Sequence, residues 1–312
     1  MSNRTVYISM VIAALFWAGA FIAGKMAVHV FEPLTLTFLR FLFALPLIFL
    51  LLRIKEPERM IPRKEQVFPL IILGIIGTLG YHFFFFLALI HTTAINSSLI
   101  GATNPMVTTV LAVAFFKEKI STLRLIGVGV SLLGVFSVIT GLNLQIVTNL
   151  EFNIGDIYMA MGVMCFSTYA LLSRRFMLEY RISPLTTTAY TFLVCTVLSL
   201  VLSLVFENPL ESLVMVTTGV WLEILYMAVF ASVVGYYIQL NAIHQIGAPR
   251  TVMFINLVPV YTIILAGTIL EETISIFKFL SAILIICGVY LASRPEKSYL
   301  DKKITSLHDS KS

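Results

Sequence analysis

The sequence predicts an all-α membrane protein of ten transmembrane helices, arranged as two inverted five-helix repeats. Three observations carry that expectation. Of 312 residues, 59% are hydrophobic and 12% charged, with a mean hydropathy of +0.96; soluble domains run at about 45–50% apolar and about 25% charged. Apolar runs of about twenty residues, enough to cross a bilayer as helix, recur along the chain. The chain also repeats itself. At an offset of 154 residues Pro105 falls on Pro259, Thr108 on Thr262, Glu118 on Glu272, Ile120-Ser121 on Ile274-Ser275, and Gly134-Val135 on Gly288-Val289, with at least ten identities across positions 88–135.

Ten runs are expected as spans: residues 6–30, 33–52, 68–90, 94–116, 125–142, 154–173, 184–206, 220–246, 249–270 and 276–291. The first exceeds a signal-peptide core and ends without an evident cleavage site, so it reads as a span. Spans 1 to 5 make a first repeat (residues 1–142), and spans 6 to 10 a second, inverted one (residues 143–293). Tight turns at His91-Thr92-Thr93 and Gln245-Ile246-Gly247-Ala248 separate span 3 from 4 and span 8 from 9. Spans 4 and 9 each hold an interior proline, which removes a backbone hydrogen bond and bends the helix. Residues 294–312 form a polar cytoplasmic tail, expected to be frayed and solvated.

Charge tests the topology. Eighteen Lys and Arg fall in segments on the side of the N-terminus, and only Lys278 falls on the other; Lys25 and Arg40 lie within spans. That asymmetry places both termini in the cytoplasm, and a bacterial inner membrane is the expected location. Because a five-span repeat is odd, the second copy must cross in the opposite sense. The loops agree: the basic loop 53–64 corresponds to 207–219, which has no Lys or Arg, and Lys117-Glu118-Lys119 becomes Glu271-Glu272-Thr273. Inverted repeats are an architecture of alternating-access transporters, with the substrate near the midplane between the halves. The net charge of +5 does not point to nucleic acid, since the positive charges sit in short loops beside apolar runs. Cys165, Cys195 and Cys287 all lie within spans and lack metal-ligand spacing.

Phe16-Trp17-Ala18-Gly19-Ala20-Phe21 in span 1, Pro33 leading to Arg40 in span 2, Asn104-Pro105 in span 4, and Glu118 followed by Gly127 and Gly134 resemble an EamA-type repeat. That repeat belongs to the ten-helix branch of the drug/metabolite transporter superfamily. The second half carries a weaker copy in Phe166, Pro184, Pro259, Glu272 and Gly288, and the resemblance covers about residues 6–292. The second copy departs at Tyr169-Ala170, where Trp17-Ala18-Gly19 has no counterpart, and lacks an arginine in register with Arg40. Symmetric roles for the two halves are therefore not expected. The resemblance implies export or exchange of small metabolites such as amino acids, without fixing the substrate.

Several residues are candidates to carry transport. Pro105 and Pro259 free the carbonyls of Gly101 and Ile255, as gating hinges or as static kinks. Ser97, Gly101, Asn104 and Thr108 share one helical face, where Asn104 bonds substrate or the small residues pack helices. Tyr237, Asn241 and His244 form a stripe on span 8, with Tyr237 and Asn241 the expected ligand contacts. Tyr81 and His82 sit mid-span, His82 as a titrating group or a satisfied interhelical histidine. Trp17 and Tyr169 are deep aromatics that wall a cavity or fill a core, and Asn256 needs a partner within its span. Lys25 is expected to snorkel outward. Arg40 needs a carbonyl or a carboxylate, the substrate's among them. Glu118 and Glu272 end spans 4 and 9, as gating ion pairs or as solvated helix ends.

Absences narrow the class. No phosphate-binding loop, zinc motif or nucleophile elbow occurs, so neither an enzyme nor a cofactor is expected. The expected partners are a small-molecule substrate and the lipid bilayer, with no nucleic acid; the sequence leaves the oligomeric state open. Proton coupling would fall to His82, Glu223 or the helix-end glutamates. The alternative within the class is multidrug or cation efflux. The three Asp residues, none of them mid-membrane, weigh against it.

Overall fold

The computed structural model describes residues 3–116, 122–140, 152–210, 216–246, 254 and 256–292, and every regular element among them is helical. Helices α1 (Asn3–Ala27) and α2 (Pro33–Lys55) lead to a continuous run of α3 (Lys64–Leu73), a π-helical segment π1 (Gly74–Gly80) and α4 (Tyr81–His91). Next come α5 (Ala94–Gly101), α6 (Asn104–Phe116) and α7 (Thr122–Thr140). The second half has α8 (Ile154–Glu179) and α9 (Pro184–Phe206), then α10 (Thr218–Tyr226), π2 (Met227–Val234) and α11 (Gly235–Ile246) as one run. Helices α12 (Leu257–Ile269) and α13 (Ile276–Ala292) follow.

Six of these helices are long and apolar enough to cross a membrane, and α7, α12 and α13 hold shorter apolar stretches. Helix α9 keeps an apolar flank bare, with Val201, Leu204, Val205 and Phe206 all more than half exposed. Such a flank suits lipid rather than water. The limits of α9 match the sequence expectation at both ends. Ser183 caps it by accepting the Thr186 N–H at 3.0 Å, and Pro184 fits the first turn, where its missing N–H costs nothing. Helix α8 runs to Glu179, beyond the expected end at 173.

The π segments occupy matching places: the 154-residue offset carries Gly80, the end of π1, onto Val234, the end of π2. Small residues permit the widened turns, Gly74, Gly77 and Gly80 in one and Ala228, Ala231 and Ser232 in the other. A π turn disrupts the i−4 ladder, so its carbonyls take other donors. His82 Nδ1 donates to Thr78 O at 2.7 Å, Trp17 Nε1 to Ala231 O at 3.0 Å, and Ser232 Oγ to Met227 O at 3.0 Å.

Two helix pairs join the halves through reciprocal contacts. Helices α2 and α9 lie antiparallel with a glutamate at each end. Glu207, just past α9, accepts from Leu34 N at 2.8 Å, Thr35 N at 2.7 Å and Thr35 Oγ1 at 2.6 Å in the first turn of α2. Glu56, just past α2, accepts from Ser183 Oγ at the cap of α9. Glu56 and Glu207 are 151 residues apart, as are Pro33 and Pro184, so equivalent residues exchange partners. Helices α7 and α13 repeat the pattern. A Cβ on Gly134 would meet Ile285 Cγ1 at 2.7 Å and Ser281 O at 3.1 Å; one on Gly288 would meet Ser131 N at 2.3 Å and Gly127 O at 2.8 Å. At the 154-residue offset Ile285 is the equivalent of Ser131, and Ser281 of Gly127.

Glu207→Ala leaves two N–H groups of α2 without their acceptor. Loss of a cap costs about 1–2 kcal/mol, so a clear fall in melting temperature is expected in detergent. Glu58→Ala, at an exposed residue in the connection after α2, should change nothing. Equal melting temperatures for the two variants would refute the capping role.

Candidate functional site

Arg40 is the centre of the site. It lies seven residues into α2, about 10 Å along the helix from Pro33, and is only 4% exposed. Its Nε donates to Ser232 Oγ at 3.1 Å, and Ser232 hands the bond on to the π2 carbonyl of Met227. Its guanidinium carbon is 5.6 Å from the centroid of the Phe41 ring. Tyr81, Tyr236 and Cys195 lie near it. Among the described residues no carboxylate pairs with Arg40, and its terminal nitrogens bond to nothing. A buried cation at membrane depth is costly unless something compensates it.

Aromatic rings enclose this cation. Phe41 meets His82 edge-on at 4.7 Å and Phe192 at 4.7 Å, and Phe192 meets Tyr236 at 5.6 Å. The chain continues from His82 to Tyr81 at 4.9 Å, Tyr81 to Phe166 at 5.1 Å and Phe166 to Tyr169 at 5.9 Å. His82 is 2% exposed, and since a carbonyl only accepts, its bond to Thr78 O places the ring proton on Nδ1. The bond lies within its own helical run, not between helices as one of the two sequence readings had it.

Trp17 and Tyr169 dock on opposite halves. Trp17 bonds Ala231 O in π2, while the Tyr169 ring lies against Gly77 in π1, where a Cβ would be 2.1 Å from Cδ2. Gly77 and Ala231 are equivalent positions, so the two aromatics perform matching tasks despite their different side chains.

The amides expected to contact substrate are engaged locally. Asn104 Nδ2 donates to Gly101 O at 2.8 Å, the carbonyl freed by Pro105, and Ser167 Oγ approaches the Asn104 carbonyl at 3.2 Å. The break between α5 and α6 is thus patched by the residue before the proline. Asn241 Nδ2 donates to Tyr237 O at 2.9 Å, within its own helix. Asn256 precedes α12 without capping it and lines a groove of about 490 Å³ between α12 and α13, its buried Oδ1 without a partner among the described residues. That groove is a different interface from the one holding Arg40. Pro259 is buried in the first turn of α12; Ile255, whose carbonyl it would free, lies outside the described residues, as does Glu118.

Glu272 is not a solvated helix end. Helix α12 stops with Glu271 left-handed (φ 55°) and the Glu272 N–H returning to Ala266 O at 3.2 Å. This aims the Glu272 carboxylate at the first turn of α5, where it accepts from Ala94 N at 2.7 Å and Ile95 N at 3.1 Å. Across the same tight turn Lys25 donates to Leu89 O at 2.6 Å and Thr92 O at 2.8 Å, ending α4 rather than reaching for water. Anion at a helix start and cation at a helix end both suit the helix dipole. Asp156 completes the seal by accepting from Thr92 Oγ1 at 2.6 Å.

Ser232, Tyr236 and Cys195 escaped the sequence reading of the site, although small residues every third position (Gly74, Gly77, Gly80) were a visible sign of π1, which packs on α8 and α9.

Known proteins match this architecture along nearly its whole length. The profile of the EamA-like transporter family fits residues 4–140 and again 153–294. The chain is 33% identical over 293 residues to the "Uncharacterized transporter YyaM" of Bacillus subtilis (strain 168), covering 94% of this chain and 95% of that one. It is 26% identical over 304 residues to the "Probable amino-acid metabolite efflux pump" of Escherichia coli (strain K12), covering 93% and 95%. A solved crystal structure shares the fold at a TM-score of 0.63 and 20% identity, covering 93% of this chain and 97% of that one. With two profile matches that together span nearly all of it, the chain belongs to the EamA-like transporter family and is a multi-pass membrane protein.

Proposed function

We propose that this protein is a secondary transporter that exports or exchanges small organic metabolites, amino acids or related compounds foremost, by alternating access. On this reading ten spans form two five-helix repeats, residues 1–142 and 143–293, inserted in opposite senses with both termini in the cytoplasm of a bacterial inner membrane. Substrate passes between α1–α6 and α8–α12, while α7 and α13 are scaffold. The observation that carries the reading is the exchange of partners between equivalent residues: Glu56 with Glu207, and Gly134 with Gly288. Two halves related in this way can rock about a site between them. The relatedness to an amino-acid metabolite efflux pump supports the substrate class.

Counterflow tests this directly. Proteoliposomes loaded with a labelled pool of amino acids and related metabolites are expected to exchange a few of them selectively. An imposed pH gradient should accelerate exchange if a proton is carried. Glu223, whose Oε2 is buried without a partner among the described residues, is then the first group to neutralise. Folded protein that exchanges none of the pool would overturn the amino-acid reading.

A further inference from the structure

We propose that Arg40, Tyr81 and Tyr236 form a carboxylate-binding site between α2, the π1–α4 junction, α9 and the π2–α11 junction, so that the transported solutes are those bearing a free carboxylate. The inference rests on the transport reading above and adds to it the group that is recognised. Three facts carry it. Arg40 is 4% exposed, and only its Nε is engaged, by Ser232 at 3.1 Å. Neither its terminal nitrogens nor the hydroxyls of Tyr81 and Tyr236 bond to any described residue. Tyr81 packs on His82 at 4.9 Å and Tyr236 on Phe192 at 5.6 Å, the two rings that flank Phe41 beside Arg40.

Every free group in this cluster is a donor or able to donate. A guanidinium fork with its two terminal nitrogens free matches the two oxygens of a carboxylate. The Ser232 bond fixes the fork through π2, so the site is positioned before the ligand arrives. Within the described residues no acid is available to fill it, and a ligand carboxylate would supply the missing charge. A cationic drug would meet like charge instead.

The test uses the purified full-length chain and thermal unfolding. The probes are L-alanine, L-leucine and L-phenylalanine, each beside its amide, with 4-methylpentanoate as a carboxylate lacking the amine. At least one acid is expected to raise the melting temperature while its amide does not. Arg40→Gln should abolish that shift, and Arg40→Lys should keep the preference for acid over amide at about 10- to 100-fold weaker affinity. Arg40→Met removes a buried unpaired charge, so its unliganded melting temperature should rise even as binding is lost. Amides acting as well as acids, no acid acting at all, or a shift that survives in Arg40→Gln would each overturn the proposal. So would a fall in the stability of unliganded Arg40→Met, which would make Arg40 a support of the fold. Counterflow separates the two readings: Arg40-dependent stabilisation without exchange leaves the site and removes the transport. Exchange indifferent to the carboxylate does the reverse.

Discussion

Glu272→Ala should release the first turn of α5 and open the end of the bundle that Glu272, Lys25 and Asp156 close. The carboxylate takes two backbone N–H groups, Ala94 at 2.7 Å and Ile95 at 3.1 Å, and nothing else offers them an acceptor among the described residues. Bonds to charged groups are worth about 1.5–3 kcal/mol each. A net loss of about 2 kcal/mol shifts a two-state equilibrium by roughly 30-fold. On the proposed orientation this is the outer face, so the variant should favour the outward-open state. A cysteine at Ser97, fully buried in the second turn of α5, is the reporter. With the three native cysteines replaced, a membrane-impermeant thiol reagent should label it many times faster when Glu272 is alanine. Exchange should slow, because the closed state is then reached less often. Unchanged labelling would sink the gating role and leave Glu272 as a helix cap.

The largest structural effect is expected at Gly288. A Cβ there would sit 2.3 Å from Ser131 N and 2.8 Å from Gly127 O, both backbone atoms that cannot swing aside. Overpacking a core costs about 1–3 kcal/mol even for small additions. Gly288→Leu would push α13 off α7 and should leave little folded protein in the membrane fraction; Gly288→Ala should lower the melting temperature. Gly129 is the control within the same pair: a Cβ at that position meets nothing within 4 Å. Gly129→Leu should therefore express and exchange like the parent. If both leucine variants behave alike, close backbone approach is not what holds α7 to α13.

Elements made of ordinary helix were legible because apolar length and a capping residue suffice to define them. Residues 184–206 were read correctly at both ends from the apolar run that Pro184 opens, and the structure adds the Ser183 cap. The repeat was legible through Pro105, Pro259, Gly134 and Gly288, although only the close approach of α7 and α13 explains why the glycines recur. What sequence reasoning lost was the register inside the interrupted helices. The stripe of Tyr237, Asn241 and His244 assumes 3.6 residues per turn, and π2 widens the turn just before it. A π turn rotates the faces on either side of it relative to each other. Ser232, which bonds Arg40, lies within π2, and Tyr236 follows one turn later, off the stripe of Tyr237, Asn241 and His244. The local partners of Lys25 and Asn104 were hidden for another reason. Each answers an orphaned backbone carbonyl of a broken or ended helix, and such carbonyls are visible only once the break is located.

The swap of partners across α7 and α13 has a consequence for how the chain can change. Contacts in which one residue meets the other's equivalent, and the reverse, are those of a two-fold homodimer. In a dimer of identical chains any substitution alters both copies of such a contact together. In one continuous chain each copy can drift by itself, and here one has: the Ser137 and Ser281 hydroxyls join at 2.6 Å, whereas the equivalent positions hold Leu291 and Gly127, which cannot form that bond. The two faces of the protein, bound to the same architecture, are free to become chemically unlike.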